Sequence, residues 1–582
     1  MQEKDKKKPP TKEAFVAMLE KIAFFLELEG ADPFRVRAYK EAKGALQASE
    51  ADIGDIAQNK IKVKGIGKHI QELIREYLVT GSLGVLEQLT KKYPVSLLEL
   101  GKIPGLGVKK IKALYDALKV STPGELRYAI EENRLLALEG FGVKTQEALL
   151  KQLSRHEERL GVVLLPAGDA IWGTLQDWLQ ERLPDVRLFP AGELRRRCPV
   201  LAGIDCLAVA SDPGLLWKTL EEPSPILSDV VEQADETIVG KWEGGVRVAL
   251  ASISVRSFPT KYFFMTGSSS HVGEITRRLE AGGYSITPEG IRRHDEKRPL
   301  ELRSEEEIYA LVGLPWIPPE LREGLVEFDP AVLKNLPSLV SQSDIQGALH
   351  VHTRFSDGMD ELEAMIAHAK SLGLAYIGIS DHSKSAYYAG GLTQEKLFEQ
   401  KKQIEGLRED FPEIRIFHGI ESDILPDGSI DYDEDVWRQL DFIIASVHSH
   451  FQMDKAAMTE RVLKAIKNPY VTILGHPTGR LLLAREPYSI DLEAVIQEIA
   501  RLGKAIELNA HPQRLDVDYR YTKTLLASGV FVSINPDAHQ RSGLGDIRYG
   551  VDIARKAGLP KAHILNALTA CAVEDFFMRQ GL

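Results

Sequence analysis

From about residue 344 onward, the chain alternates short apolar runs with segments that have the apolar spacing of helices. Runs of this length between helical segments favour buried strands, and regular strand–helix alternation is typical of a parallel α/β barrel. Seven strands predict a distorted relative of the eightfold barrel. The seven runs cover residues 347–352, 376–382, 414–421, 442–448, 471–476, 505–509 and 531–539.

Potential ligands end each of these runs. Ten of the fifteen histidines lie between His350 and His539. Since the carboxyl ends of parallel strands share one face of a barrel, these side chains should meet there. One histidine after a strand is more often a packed or capping residue, but seven coincident strand ends favour a metal site. Histidine and carboxylate ligands without cysteine suit Zn²⁺, Mn²⁺ or Fe²⁺.

The N-terminal third has a different pattern, in which a glycine turn precedes an amphipathic helix. The stretch 63–74 contains Gly65, Gly67 and Lys68, followed by the apolar positions of a helix. The design recurs at 103–114 with Gly105, Gly107, Lys109 and Lys110, and more loosely at 138–145. Such turns bring backbone N–H groups to a helix N-terminus that favours phosphate. We interpret them as hairpins that bind the DNA backbone; structural hairpins are the alternative.

Length and composition indicate a folded chain of several domains. It has 582 residues, of which 44% are hydrophobic and 27% charged, and no apolar stretch is long enough to span a membrane. The three cysteines are scattered and match no zinc-finger spacing. The N-terminus lacks the apolar region of a signal peptide. We therefore expect a soluble, cytoplasmic monomer with no membrane partner.

Charge alone does not identify the partner. Residues 1–150 hold 25 Lys and Arg against 21 Asp and Glu, whereas the rest hold 48 against 63. An excess of four is equally compatible with an ordinary solvated surface. The glycine hairpins are therefore what points to nucleic acid.

Two further stretches, 31–42 (ADPFRVRAYKEA) and 306–324 (EEIYALVGLPWIPPELREG), resemble bacterial and archaeal family X DNA polymerases. The resemblance covers nearly the whole chain and includes a C-terminal PHP (polymerase and histidinol phosphatase) domain. It implies a multidomain α+β and α/β fold ending in a distorted (βα)7 barrel. The implied parts are a lyase-type helical domain with a hairpin at 1–90, a fingers-like hairpin domain at 91–157, a palm at 158–258, a thumb at 259–326, a linker at 327–343 and the PHP barrel at 344–582.

The PHP pattern fits the strand ends position by position. The resemblance implies three divalent ions, Mn, Zn or Fe, which activate water for phosphoester hydrolysis. Arg480, Lys384 and Arg354 are candidate phosphate contacts, with a surface salt bridge as the alternative for Arg480. The nine implied ligands are His350, His352, Asp357, His382, Glu421, His448, His476, Asp537 and His539.

The palm pattern, by contrast, is incomplete. Nucleotidyl transfer needs two metal ions held by several carboxylates. Asp205 stands at one expected aspartate, whereas Gly203 and Ala249 stand at the other two, and Glu193 replaces a serine. We predict that templated polymerase activity is lost, unless Glu193 or Glu243 supplies a substitute carboxylate.

The lyase reaction of the family uses a lysine that forms a Schiff base with an abasic sugar. Leu73 stands near the position of that lysine, so we do not expect lyase activity unless Lys40 or Lys68 supplies the amine. The sequence thus predicts a DNA-repair enzyme that binds nicked, gapped or abasic duplex. Its PHP domain is expected to act as a 3′→5′ exonuclease, with abasic-site endonuclease or other 3′-end processing as further activities. The alternatives are an active gap-filling polymerase with a PHP nuclease, a small-molecule phosphatase of the histidinol-phosphate type, and a non-catalytic DNA-binding scaffold.

Overall fold

The computed structural model describes residues 10–135, 138–159, 161–210, 213–221, 229–234, 237–242 and 245–580. The chain forms two compact units, one of Met1–Ile130 with Leu135–Leu153, and one of Glu131–Arg134 with Ser154–Leu582. None of the helices in these ranges is long and apolar enough to cross a membrane.

All the regular secondary structure in the described residues of the first unit is helical. Its amphipathic helices bury one apolar core, which includes Leu19, Phe25, Ile74 and Leu114. The helices are α1 (Lys12–Glu29), α2 (Pro33–Ala48), α3 (Ile53–Ala57), α4 (Lys68–Thr80), α5 (Gly84–Lys92), α6 (Leu97–Leu100), α7 (Val108–Leu118), α8 (Pro123–Glu131) and α9 (Val143–Arg159).

The sequence between α1 and α2 shows how closely local signals set these boundaries. Gly30 ends α1 in the left-handed region, with φ of 73°, where a glycine has no steric penalty. Two residues later the Asp32 carboxylate accepts a hydrogen bond from the Phe34 N–H, and Pro33 occupies the first turn of α2. One helix therefore stops and the next starts within three residues.

The second unit begins with a five-stranded sheet in the order β2-β4-β7-β6-β5. Strands β4 and β7 are parallel, and the other neighbours are antiparallel. The elements are β1 (Val163–Leu164), α10 (Leu165–Arg182), β2 (Arg187–Pro190), α11 (Gly192–Arg195), β3 (Val200–Leu201), β4 (Ile204–Val209), α12 (Pro213–Glu221), β5 (Asp229–Ala234), β6 (Thr237–Lys241) and β7 (Arg247–Ile253).

A smaller helical and hairpin region follows the sheet. The Glu305 carboxylate lies between two guanidinium groups, those of Arg322 at 2.6 Å and Arg195 at 2.8 Å, and all three side chains are largely buried. This ion network ties the region to α11. Its elements are α13 (Phe258–Thr266), α14 (Ser269–Ala281), β8 (Tyr284–Thr287), β9 (Gly290–Arg293), α15 (Glu306–Ala310) and α16 (Pro330–Asn335).

The rest of the second unit is a nearly closed barrel of seven parallel strands, which confirms the predicted fold class. Its strands are neighbours in chain order, and a bridge between Val351 and Ala538 links the first strand's end to the last. The elements are β10 (Gly347–Ala348), α17 (Leu362–Ser371), β11 (Tyr376–Ile379), α18 (Gln394–Asp410), β12 (Arg415–Asp423), α19 (Glu434–Trp437), β13 (Phe442–Ser446), α20 (Lys455–Ile466), β14 (Ile473–Leu474), α21 (Leu492–Arg501), β15 (Ala505–Asn509), α22 (Thr522–Ser528), β16 (Phe531–Asn535), α23 (Ile547–Lys556) and α24 (Ala570–Met578).

Aromatic packing fills the end of the barrel where the strands start. Phe442 stacks on Phe577, and Tyr376 contacts Phe417 edge to face. Glycine is required beside Phe442, because a Cβ at Gly419 would lie 2.5 Å from its ring. The polar ends of the strands therefore open only at the opposite face.

Candidate metal centre

The nine side chains expected as ligands all lie at the carboxyl ends of the barrel strands and are all buried or nearly so. Glu421, on β12, is central. Its two oxygens lie 2.8 Å from His382 Nδ1, 2.9 Å from His476 Nε2 and 3.2 Å from His448 Nε2. His350 and His352 are more distant, with Nε2 atoms 3.5 and 3.8 Å from the carboxylate.

Two further carboxylates complete the cluster. Asp357 has oxygens 3.3 Å from His539 Nε2 and 3.4 Å from His382 Nε2. Asp537 Oδ1 lies 3.2 Å from His352 Nε2 and 3.4 Å from His350 Nε2. Ligand atoms within 4.8 Å of one another occur in the sets His352–Asp357–His382–His539, His350–His352–Asp537 and His382–Glu421–His448.

These residues fit a metal centre because many of their polar atoms have no hydrogen-bond partner in the part of the chain that the structure describes. The orphaned atoms are buried and face each other across the cluster, although buried polar atoms are normally hydrogen-bonded. Ligation would satisfy them. They include His350 Nε2, both ring nitrogens of His352 and of His382, Asp357 Oδ2, Glu421 Oε2 and His539 Nε2.

Charge is distributed unevenly across the cluster. Burial alone would raise the pKa of Glu421, but His448, His382 and His350 hold it well below the usual value. Burial, together with His539 and His382, lowers the pKa of His352 to about 3. The centre therefore presents an ionised carboxylate beside a neutral imidazole, and both are forms that bind metal ions.

Outer partners orient several of these imidazoles. His350 Nδ1 donates to Glu507 at 2.7 Å, and His448 Nδ1 donates to Asp423 at 2.6 Å. Because each carboxylate can only accept, each Nδ1 carries a proton, and Nε2 is the ring atom that points inward and would ligate an ion. Glu507 has a sequence signal, since it lies on β15 two residues before Asn509, on the same face of the strand. Asp423 follows the predicted ligand Glu421 at the same spacing.

A second polar network supports the loop that carries Asp357. The buried Asp381 carboxylate accepts hydrogen bonds from the Thr353 N–H and from the Ser356 hydroxyl. Gln400 Nε2 donates to its other oxygen. Asp381 directly precedes His382, yet its side chain points to this loop, and nothing in the sequence distinguished the two roles.

The second unit also includes the short segment Glu131–Arg134, whose role the sequence did not indicate. The Glu132 carboxylate is buried, and its oxygen lies within 4.8 Å of ligand atoms of Asp537 and His539. Arg134 Nε lies 3.8 Å from Asp357 Oδ2. This segment adds both a carboxylate and a cation to the centre.

The three predicted phosphate contacts have differing surroundings. Arg480 is buried, and its nitrogens donate to Asp518 and to the carbonyl oxygens of Arg514 and Leu515. The ion pair weighed as the alternative for Arg480 is thus present, but it is buried. Arg354 pairs with Glu361 at 2.8 Å with both side chains exposed, and Lys384 lies over the Tyr432 ring at 5.2 Å.

In the first unit, the glycine hairpins share one backbone geometry. Gly65, Gly105 and Gly140 have φ of 96°, 86° and 85°. In each turn the N–H after this glycine donates to the carbonyl oxygen three residues earlier, at 3.1 to 3.2 Å. Gly67 and Gly107 cap α4 and α7 without a side-chain hydrogen bond. A Cβ at either would meet no atom within 4 Å, so these helix N-termini are open to a ligand.

The lyase question concerns α4. Leu73 is buried in the core of the first unit. Lys68 is exposed at the start of the helix, and Lys40 pairs with Glu27 at the surface.

Asp205, in the five-stranded sheet, stands beside Ala249 in the parallel register of β4 and β7. Its Oδ1 accepts from Arg247 Nη1 at 2.7 Å, and Glu193 accepts from the Ala202 N–H at 2.6 Å. Among the residues with described coordinates, groups of three or more potential metal ligands occur only around the barrel. Glu243, considered as a substitute ligand, lies outside the described residues.

Family models match three parts of the chain. Residues 10–83 match a helix-hairpin-helix domain, residues 262–323 the DNA polymerase beta thumb, and residues 348–511 the PHP domain.

Comparison of the whole chain finds a relative that matches over its full length. The "DNA polymerase/3'-5' exonuclease PolX" of Bacillus subtilis is 34% identical over 575 residues, which cover 98% of this chain and 99% of that protein. A "Probable phosphatase" of Caldicellulosiruptor saccharolyticus is 30% identical over 217 residues, 36% of this chain and 84% of that protein. A "Probable phosphatase" of Shewanella oneidensis is 27% identical over 242 residues, 40% of this chain and 91% of that protein.

Proposed function

We propose, because this chain belongs to the family X DNA polymerases with a C-terminal PHP domain, that its barrel is a metal-dependent 3′→5′ DNA exonuclease. The observation that supports this most strongly is the convergence of nine ligand-type side chains at one face of the barrel, seven of which have unsatisfied buried atoms. The name of the Bacillus relative includes the same activity.

The nine side chains would hold three divalent ions of the Mn²⁺, Zn²⁺ or Fe²⁺ type; His352 and His382 each belong to two of the three ligand sets. When bound, such ions activate water and neutralise charge on the phosphate. The reaction adds water to phosphorus and breaks the bond to the 3′ oxygen, which leaves protonated. The products are a nucleoside 5′-monophosphate and DNA one nucleotide shorter with a 3′-hydroxyl.

The protein's own groups prepare this centre. Glu507 and Asp423 fix the tautomers of His350 and His448, so that their Nε2 atoms remain available. Arg480 holds the backbone at Arg514 and Leu515, and we assign it this positioning role instead of a direct phosphate contact.

DNA is the partner that the hairpin and thumb domains imply. We propose that nicked, gapped or abasic duplex is bound through the open helix N-termini at Gly67 and Gly107, with Lys68, Lys109 and Lys110 neutralising phosphates. These contacts position the duplex without reading its sequence. We also propose that the barrel cleaves abasic sites and processes other 3′ ends. The predicted domain boundaries and the monomeric state remain proposals as well.

We further propose that templated synthesis is lost. Of the three expected palm aspartates only Asp205 is present, and it is already paired with Arg247. One paired carboxylate does not hold two metal ions. Active gap filling is the rival reading, and the name of the Bacillus relative favours it. A small-molecule phosphatase is the other rival, favoured by the shorter relatives.

The deciding experiment incubates purified protein with 5′-labelled gapped DNA, with and without nucleotides, in Mn²⁺, Zn²⁺ or Mg²⁺. We expect stepwise shortening from the 3′ end and no extension. Histidinol phosphate serves as the competing substrate. Extension would establish the polymerase reading, and hydrolysis of histidinol phosphate without cleavage of DNA would establish the phosphatase reading.

The matched control for this experiment is a histidine outside the cluster. His368 lies on α17 and contacts Ser371, so His368→Ala changes the same residue type without touching the centre. The ligand variant His350→Ala is tested beside it. If His350→Ala protein still cleaves DNA, at a rate that differs from one preparation to another, the cleavage comes from a contaminating nuclease.

A further inference from the structure

Two adjacent tyrosines stand at the mouth of the metal centre and have no part in the roles described so far. Tyr387 and Tyr388 form a single helical turn, Tyr387–Ala389, that follows β11 and the ligand His382. Neither is among the ligands, the outer partners or the predicted phosphate contacts. They differ sharply in environment, and that difference suggests two tasks.

Tyr388 points toward the cluster. Its ring centroid lies 6.2 Å from that of His382 and 6.4 Å from that of His448. The hydroxyl oxygen is buried and has no hydrogen-bond partner among the described residues. A phenol is protonated at neutral pH and can donate, and a buried donor without a partner calls for an explanation. A phosphate oxygen at the centre would supply the missing acceptor.

Tyr387 points the other way, and its side chain is 87% exposed. An aromatic ring held in solvent beside a nuclease centre is suited to stacking on a nucleobase, which every base permits regardless of sequence. Stacking there would hold the base of a frayed 3′ end while its phosphate lies over the ligands.

The turn that carries both tyrosines is rigidly held, so their positions are preorganised. The Asp431 carboxylate accepts from the Ser383 hydroxyl at 2.7 Å and from the Ser385 N–H at 2.9 Å. The Tyr432 hydroxyl donates to the Leu392 carbonyl oxygen at 2.5 Å. Arg134 packs on the Tyr388 ring at 4.7 Å, which restricts its rotation. Recognition groups on such a support lose little entropy on binding.

We propose that Tyr388 donates a hydrogen bond to the phosphate undergoing hydrolysis, while Tyr387 stacks on the base of the 3′-terminal nucleotide. The ligand class is the single-stranded 3′ end of DNA. This inference rests on the proposed exonuclease function and adds to it the residues that select and position the substrate.

The test compares two substrates in Mn²⁺, a 5′-labelled single-stranded oligonucleotide and the same oligonucleotide with an abasic 3′-terminal nucleotide, which has no base to stack. Tyr388→Phe should lower kcat on both substrates by roughly tenfold or more, because a hydrogen bond to a charged group is lost. Bound metal and melting temperature should match those of the wild-type protein.

A matched control for Tyr388 lies at the other end of the barrel. The Tyr376 hydroxyl is also buried and has no hydrogen-bond partner in the described part of the chain, but it packs among Phe417 and other apolar side chains. Tyr376→Phe should therefore keep wild-type kcat. A kcat for Tyr388→Phe equal to that of the wild type, or a loss that follows loss of bound metal, would overturn the role of its hydroxyl.

For Tyr387 the measured quantity is the ratio of kcat/KM on the oligonucleotide with a complete 3′-terminal nucleotide to kcat/KM on the oligonucleotide with an abasic 3′ end. Tyr387→Ala should lower this ratio by about tenfold, as expected for one lost stacking contact, and Tyr387→Phe should restore it. An unchanged ratio, or a Phe variant as impaired as the Ala variant, would overturn stacking. If wild-type protein hydrolyses neither substrate in Mn²⁺, Zn²⁺ or Mg²⁺, the exonuclease proposal itself has failed.

Discussion

The barrel and the five-stranded sheet use the same device with different outcomes. Both place functional positions where parallel strands lie side by side, Glu421 on β12 in the barrel, and Asp205 beside Ala249 on β4 and β7 in the sheet. In the barrel, all nine expected ligand side chains are present and converge. In the sheet, one expected carboxylate remains and pairs with Arg247.

The difference teaches that the fold of a catalytic region and its chemistry are separable. The strands around Asp205 keep their register, and their core is well buried, although two expected ligands are a glycine and an alanine. Burial of apolar side chains stabilises a sheet whether or not its polar edge holds metal. We therefore expect substitutions in the barrel centre to abolish activity and substitutions at the sheet's edge to change little.

The largest expected effect concerns barrel ligands. His350→Ala or Asp537→Ala should lower nuclease activity by more than about a hundredfold, beyond the range typical of outer partners, because each removes a ligand atom outright. Binding of gapped DNA, measured by fluorescence anisotropy, should remain. His368→Ala serves as the control, and normal cleavage by either ligand variant would contradict the assignment of the centre.

The ion network around Glu305 tests whether the region that follows the five-stranded sheet is firmly folded. Glu305→Gln should reduce the free energy of unfolding by about 3–5 kcal/mol, because it leaves Arg322 and Arg195 buried with a weakened partner. Amide hydrogen exchange in peptides that contain these residues measures this locally. The control is Glu301→Gln, since Glu301 has 88% of its side chain exposed and should change stability by no more than about 0.5 kcal/mol.

The same network predicts a pH dependence. Burial raises the pKa of Glu305, but Arg322 and Arg195 outweigh it and lower the pKa to about 2, from an ordinary value of 4.5. A lowered pKa in the folded state gives stability that is present above 4.5 and lost as pH falls toward 2. The difference between wild type and Glu305→Gln should thus narrow from pH 5 to pH 2. A constant difference would contradict the ionised state of Glu305.

An intermediate loss of metal binding is expected at Glu507, which is not a predicted ligand but holds the ligand His350 in place. Its two oxygens accept hydrogen bonds from four donors, His350 Nδ1, the His476 N–H, Asn509 Nδ2 and Asn535 Nδ2. Glu507→Gln turns an amide N–H₂ toward some of these donors and should weaken metal retention about 10- to 100-fold. Metal content after dialysis against chelator measures this, with exposed Glu493→Gln as control. If Glu507→Gln and wild-type protein retain the same amount of metal, Glu507 has no role in supporting the ligands.

Much of this site could be predicted because its signals are local. Each ligand follows a short apolar run, and the register of a parallel barrel brings strand ends together whatever the loops do. Asp381 and Asp423 lie beside predicted ligands, but which neighbour faces the metal depends on side-chain direction. Tyr388 and Arg134 depend on loop paths and long-range packing, for which strand periodicity carries no information. The Arg247 partner of Asp205 likewise comes from a different strand.

The hairpins should contribute a smaller, additive effect. Replacing Lys109 and Lys110 by Ala should weaken binding to duplex DNA and reduce the magnitude of the salt slope by about 0.9 per lost phosphate contact. Lys91 and Lys92, adjacent on α5 and outside the glycine turns, provide a control pair with the same change in charge. Equal weakening in both double variants would mean that general charge, and not the hairpin, attracts DNA.

The smallest expected effect is in the five-stranded sheet, where restoring carboxylates should restore little. In the nuclease-deficient His350→Ala background, with gapped DNA carrying a 5′-phosphate and with Mn²⁺ or Mg²⁺, we expect no templated extension. Adding Gly203→Asp and Ala249→Asp should yield weak extension or none.

A Cβ at Gly203 would lie 2.8 Å from the Arg247 carbonyl oxygen, so the backbone must shift before an aspartate side chain fits there. Ala249 is buried beside Asp205, so an aspartate there adds a like charge in a desolvated place. Strong extension after the double change would show that the palm lost only its ligands; extension without it would show that substitute carboxylates complete the site with Asp205.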